Sequence, residues 1–387
     1  PGGEAPAAPD AGTPPAGEWR AAWISYIELQ GMDYTSAEAF RAGAAAMMDR
    51  CAGLGLNTVI VQVRPFGDAL YPSALFPWSH ICTGVQGVSP GFDALDILLT
   101  EAHSRGLSFE GWINPYRLQA SASSPGTLAA GNLANTHPDW VAAAGGGLYL
   151  NPAIPEAAAY VVEGVAELVR TYPVDGVHFD DYFYPTTDPA IDAARFAASG
   201  AADLAEWRRQ NVTALVKAAH DAVKAADPTL RFGVSPQGNP DNDMSQQYSD
   251  VRGWLAAGSE DAVVDYLCPQ LYWGYGYTLS NGSRRFAYEN ILAEWLAMPR
   301  GSAALYVGLG AYRIGEGDGG SNGDSVSGWS TGRALADQVG TLRAAGAGGY
   351  ALYRYGSLFQ NTAWPQLAEA ECAALTAANA PDGGRAG

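Results

Sequence analysis

Eight short runs rich in β-branched and aromatic residues recur along the chain: WRAAWISYIE (19–28), TVIVQVRP (58–65), SFEGWINPY (108–116), GVHFDDYF (176–183), RFGVSPQG (231–238), VDYLCPQLYW (264–273), ALYVGLGAYR (304–313) and GGYALYRYGSL (348–358). Between them, Ala, Leu and Val return at helical spacing over about 35–54, 93–105, 155–171, 203–226, 247–257, 286–297, 331–345 and 362–377. Several of these stretches end in glycine just before the next run, as in LGLN (54–57), RGLS (105–108) and AGAGG (345–349). Glycine there suits a helix that closes on a residue with positive φ. Strict alternation of strand and helix predicts parallel strands joined by right-handed crossovers. Eight such units predict the α/β class and a single (β/α)8 TIM barrel over 18–378, with an open doubly wound sheet as the alternative. The long connections, 66–92, 117–153, 184–202 and 314–330, all leave strands rather than enter them. That asymmetry places the functional face where the strands end.

The two ends read differently. PGGEAPAAPDAGTPPAG (1–17) is made of small residues, prolines and a few acids, which predicts a flexible spacer, and 379–387 is expected to be a disordered tail. A spacer of this kind commonly follows a removed export signal or a lipid-anchored cysteine, so an envelope or extracellular location is expected, with a membrane met only through such an anchor. Of the 387 residues, 48% are hydrophobic and 16% charged, enough apolar content for a large core. With 22 Lys and Arg against 40 Asp and Glu, the net charge of −18 argues against nucleic acid or an anionic membrane surface as a partner. Cys51, Cys82, Cys268 and Cys372 are widely spaced and signal neither a zinc site nor a disulfide framework. GEGDGGSNGDS (315–325) holds Glu316, Asp318 and Asp324, but without the ligand order of a calcium loop, and is read as a surface loop. No metal or cofactor is called for, and the chain is expected to be a monomer.

The polar residues at the strand ends are the candidates for chemistry: Arg64 and Asp68, Asn114 and Tyr116, His178 with Asp180 and Asp181, Gln237 and Asn239, Gln270 with Tyr272 and Trp273, Tyr312 with Arg313, and Tyr353 with Arg354. Carboxylates, amides, an arginine or two and many aromatics make up the usual furniture of a sugar-binding cleft. There is no phosphate cradle, dinucleotide fingerprint or nucleophile elbow among the motifs. The sharpest signal is VDGVHFDDYFYP (174–185), where two adjacent carboxylates follow an apolar strand. If both face one cleft, their repulsion raises a pKa, so that one can donate a proton near neutrality. His178, inside the same strand, is expected to support the pair from the barrel interior, and Glu110 to lie below the catalytic face.

Longer segments carry a resemblance. RAAWISYIE (20–28), NTVIVQVRPFGDALYPSALFPWS (57–79), GWINPYR (111–117), GGLYLNPA (146–153), DGVHFDDYFYPTTD (175–188), FGVSPQGN (232–239), DYLCPQLYWGY (265–275), YVGLGAYRIG (306–315) and GYALYRYGSLF (349–359) together resemble bacterial glycosyl-hydrolase-like family ten. The resemblance implies an exported barrel glycosidase of the cell envelope, acting on peptidoglycan strands already stripped of stem peptides.

A looser similarity concerns mechanism. DGVHFDD (175–181) shares the DG and one inner Asp of the family 18 chitinase signature, but Tyr182 stands where that signature ends in Glu. The Asp180–Asp181 pair instead resembles the neighbouring aspartates of family 84 hexosaminidases, which use the substrate's own 2-acetamido oxygen as nucleophile. By that resemblance Asp180 orients the amide and Asp181 protonates the leaving oxygen. Arg64, Asp68, Asn114, Tyr116, His178, Gln237, Asn239, Gln270, Tyr272, Trp273, Tyr353 and Arg354 are expected to bind the glycan, with Trp273 stacking on a ring. The alternatives are a two-carboxylate glycosidase on a plant or host polysaccharide, with Asp68 as the partner acid, and a lipoprotein that binds glycan without cutting it.

Overall fold

A computed structural model of the protein describes residues 14–321 and 325–381. Most of the spacer at 1–17, the tail beyond Pro381 and Asp324 lie outside the described residues. Eight parallel strands close a barrel: β1 (Trp19–Ile24), β2 (Thr58–Arg64), β3 (Ser108–Ile113), β4 (Gly176–Phe179), β5 (Arg231–Val234), β6 (Tyr266–Leu267), β7 in two pieces (Ala304–Leu305 and Val307–Gly310) and β8 (Gly349–Tyr353). Closure runs through β7, whose first piece pairs with β6 and whose second pairs with β8, while β8 pairs with β1. The outer layer is α1 (Ala37–Gly53), α2 (Ala94–His103), α3 (Pro155–Thr171), α4 (Leu204–Ala226), α5 (Val251–Ala256), α6 (Tyr288–Leu296), α7 (Ala334–Ala344) and α8 (Pro365–Asn379). The fold is thus the (β/α)8 barrel that the alternation predicts.

Local chemistry starts these helices where they start. Ser36, Asp93 and Asp203 each accept a backbone N–H from the first turn of α1, α2 and α4, and Pro155 opens α3 where no N–H is needed. Strand parity then divides the side chains in two. Outward residues such as Val59, Val61, Phe109 and Leu352 pack with the helices in the main core. Inward residues form a second cluster of Trp19, Ala21, Trp23, Ile60, Trp112, Tyr266, Cys268 and Ala351. Gly233 faces this interior, where a Cβ would sit 2.0 Å from the Tyr266 ring, so the glycine lets that ring cross the barrel.

Two details differ from the sequence reading. The connection after β3 holds a small antiparallel sheet, Arg117–Gln119, Val141–Ala144 and Gly147–Leu150. At the other end α8 runs through Asn379, whose buried amide binds Leu54 O and the Tyr350 hydroxyl, so the fold outlasts the boundary set at 378. The four cysteines are all free thiols.

Candidate active site

The cleft at the carboxyl ends of the strands is lined by Trp23, Trp112, Asp180, Asp181, Tyr182, Ser235, Gln270, Tyr272, Tyr312, Tyr353 and Arg354. Most of these continue the inward parity of their strands. On β4 the inward sequence is Gly176, His178, Asp180, so Asp180 rises directly above the filled barrel interior. Asp181, the next residue, turns the other way along the rim.

The two carboxylates therefore look at different neighbours. Asp180 accepts a short hydrogen bond from Asn114 Nδ2, beyond the end of β3, and a longer one from the Tyr182 amide at 3.4 Å. Asn114 Oδ1 in turn accepts from Gln62 Nε2 and from Arg117 Nη2, the latter at 3.0 Å. Asp181 accepts from Gln270 Nε2 at 3.0 Å, and that amide also donates to Ser235 O at 3.1 Å. Both acids are buried, at 6% and 8% exposure. Burial first, then the Asp181 carboxylate, raises Asp180 to about 7, against the opposing pull of Arg117, the Tyr182 amide and the Trp112 indole. Burial raises Asp181 as well, with the Gln270 and Gln237 amides and Arg117 working against it. The pair thus retains a proton near neutrality.

Opposite the acids stands a wall of tyrosines. Tyr272 and Tyr353 stack at 5.6 Å with 22° between planes, and Tyr312 meets both edge-on at 5.6 and 6.1 Å. Gly310 makes room for Tyr272, since a Cβ there would lie 3.0 Å from the Tyr272 side chain. The floor is Trp23 and Trp112. Arg354 lines the far side, its Nη1 held by the buried Glu28 carboxylate.

Several residues expected to touch the glycan stand elsewhere. Arg64 would point inward by alternation, but a bulge in the β2–β3 ladder lets Val63 and Arg64 oppose Ile113 alone. Its guanidinium is thereby turned outward to lie 3.6 Å over the Phe76 ring, against α3. Tyr116 is 1% exposed in the outer core. Asp68 is buried within its own loop, accepting from Gln86 Nε2 at 3.0 Å and facing His80 Nδ1 at 3.6 Å, so it offers no second carboxylate to the cleft. Asn239 caps the short turn at Pro240 by accepting the Asp241 amide. Trp273 points away from Tyr272, stacking on Phe286 at 5.1 Å and over Gly238. His178 is fully buried beneath the floor, bound to Tyr266 and Trp23 rather than to the acids. Gln237 lies beside Asp181, its backbone amide fixed by the buried Asp243.

The sequence reading missed Trp23, Trp112 and Ser235 as lining and Gln62 and Arg117 as supports. Inward parity was the available signal, since each tryptophan lies an even number of residues from an inward neighbour on its own strand. Glu316 and Asp318 are engaged by the protein itself: Glu316 accepts from the Trp364 indole, and Asp318 from the Gly274 amide and Ser325 Oγ.

Solved structures with the same architecture include the PgaB (BpsB) glycoside hydrolase domain from Bordetella bronchiseptica, at TM-score 0.58 and 14% identity over 92% of this chain and 99% of that one. Another is alpha-L-fucosidase isoenzyme 2 from Paenibacillus thiaminolyticus, at TM-score 0.57 and 15% identity, covering 92% of this chain and 49% of that one. At such identities the likeness is one of fold. Sequence relatives are nearer. The glycosyl hydrolase YngK of Bacillus subtilis is 37% identical over 323 residues, 77% of this chain and 61% of its own length. The glycosyl hydrolase DigH of Escherichia coli K12 is 36% identical over 299 residues, 70% of this chain and 65% of its own length. The chain therefore spans less than two thirds of these relatives. Residues 18–322 match the family described as glycosyl hydrolase-like 10, and with relatives at this identity the chain belongs to that family.

Proposed function

We propose that the protein is a glycoside hydrolase that cuts N-acetylated glycans with the help of the substrate's own 2-acetamido group. The observation that carries this reading is the placement of acids. Among the described residues lining the cleft, the only carboxylates are Asp180 and Asp181, adjacent on one strand end. A conventional retaining site needs two carboxyl groups about 5 to 5.5 Å apart on opposite sides of the scissile bond, and an inverting site about 6.5 to 9.5 Å. The wall facing the pair supplies tyrosines and Arg354 instead, so the nucleophile is best supplied by the sugar.

In this reading the amide N–H of the bound sugar hydrogen-bonds Asp180. That contact favours the charged form of Asp180 and moves the shared proton to Asp181. The acetamido oxygen attacks the anomeric carbon as the glycosidic C–O bond breaks, and Asp181 delivers its proton to the leaving oxygen. Water then opens the cyclic intermediate, with Asp181 taking back a proton.

The substrate that the family resemblance implies is peptidoglycan freed of stem peptides, met outside the cytoplasm. The test is incubation with amidase-stripped peptidoglycan strands. Release of new reducing ends supports the reading; co-sedimentation without cleavage would replace it with a glycan-binding role.

A further inference from the structure

Arg354 is the one cation among the described residues that line the cleft. It is anchored by Nη1 to Glu28, which is 3% exposed. Glu28 does not depend on that contact alone, since it also accepts from the Ser25 amide at 2.8 Å, Ser25 Oγ at 2.5 Å and the Gly356 amide at 2.9 Å. Arg354 Nε and Nη2 have no acceptor among the described residues, and the side chain is 24% exposed. A guanidinium held at one nitrogen by a buried carboxylate, on a side chain that lines the cleft and keeps two further nitrogens without an acceptor among the described residues, can take a planar anion in two parallel hydrogen bonds. The setting sharpens the point. The chain carries a net charge of −18, so a glycan bearing negative groups is repelled unless a local cation receives them.

Resting on the glycosidase reading above, we infer that Arg354 is a specificity-determining residue that reads a carboxylate carried on the sugar next to the scissile bond. The tyrosine wall and the acid pair handle any N-acetylated ring; Arg354 selects rings with an acid. Two glycan chemistries present such a group. One is a lactyl ether whose carboxyl is freed when an amide-linked peptide is hydrolysed. The other is a uronic acid.

The test compares four probes: short glycan strands with free lactyl carboxylates, the same strands with those carboxylates converted to methylamides, neutral chitooligosaccharides, and N-acetylated oligosaccharides containing uronate. Dissociation constants are measured by calorimetry alongside KM and kcat. Converting the carboxylate to an amide is expected to raise Kd and KM about tenfold, the scale of a lost charged hydrogen bond, with kcat changed less than about twofold. Arg354→Lys keeps a cation for Glu28 but loses the fork; it should raise KM for the free-acid strand to a similar degree and abolish the sensitivity to amidation. A preference for uronate over lactyl strands, lost in Arg354→Lys, would assign the carboxylate to the second source. Equal Kd for acid and amide strands, or amidation sensitivity that survives Arg354→Lys, overturns the inference even if both strands are cut. Cleavage of no probe, with an Arg354-dependent preference in Kd, would leave the inference standing and overturn the glycosidase reading.

Discussion

Trp23 Nε1 donates to His178 Nε2 across the barrel at 3.2 Å, and this bond sets the direction of the hydrogen-bond chain that continues through Tyr266 to Glu110. With Nε2 accepting, the neutral imidazole carries its proton on Nδ1, which donates to the Tyr266 oxygen at 2.8 Å. Tyr266 then spends its single proton on Glu110. The chain runs one way, from the floor of the cleft to the barrel bottom, where Arg231 lies 3.8 Å from Glu110. A protonated His178 would have no acceptor left for Trp23, and burial holds its pKa down at about 3.

Because that pKa is depressed in the fold, the unfolded chain takes up the His178 proton first. Its contribution to stability is complete above the ordinary histidine range and declines as pH falls from about 6.5 toward 3. His178→Gln, which keeps an acceptor and a donor but does not titrate, should flatten the loss of Tm between pH 6.5 and 4. Parallel melting curves for the two proteins over that interval would show that His178 is not held neutral in the fold.

Asp180 has the opposite sign. Its carboxyl is raised to about 7, so the folded state holds the proton more tightly than the unfolded chain. Stability from this group is greatest in acid, declines as pH rises through the carboxylate range toward 7, and is fully lost above it. Asp180→Asn should therefore be more stable than the parent at pH 8, by on the order of 1–3 kcal/mol, with the gain shrinking at pH 5. It should lose most activity at every pH. Denaturant midpoints at the two pH values check the first part; a gain that is larger at pH 5 would contradict it.

The tyrosine wall separates two neighbouring aromatics. Tyr272 lines the cleft, while Trp273 packs behind it on Phe286. Tyr272→Ala should weaken glycan binding by about 1 to 2 kcal/mol, the order of a lost aromatic contact. Trp273→Ala should instead cost about 3 to 5 kcal/mol of stability at most, less for its partial burial, with little change in Kd for the protein that remains folded. Glycan titration and thermal melting of both variants check the pair.

Much of this was legible in the sequence, for physical reasons. The eight strands and eight helices could be read because parallel strands buried on both faces stay apolar and the helices between them keep their period. The paired acids stood out because charge at the end of such a strand is conspicuous. The surrounding residues were harder. Arg64 reads as inward until a bulge, which no residue type announces, adds one residue to its strand. Tyr272 and Trp273 are equally attractive as stacking platforms, and only the parity of an irregular strand end decides between them. Trp23 and Trp112 look like core because they are core on one side and floor on the other. Asp68 was plausible as a partner acid until Gln86 and His80, both from the same loop, closed on it.

The central claim is that the sugar's acetamido group is the nucleophile, and it is tested most directly by removing that group. Reducing-end release by the unaltered protein is measured on matched glycan strands, N-acetylated and de-N-acetylated, at pH 6. The account predicts steady cleavage of the acetylated strand and loss of at least about 100-fold on the de-acetylated one, the scale on which a missing catalytic group is felt. Equal rates on the two strands would contradict it and require a second protein carboxylate at the scissile bond.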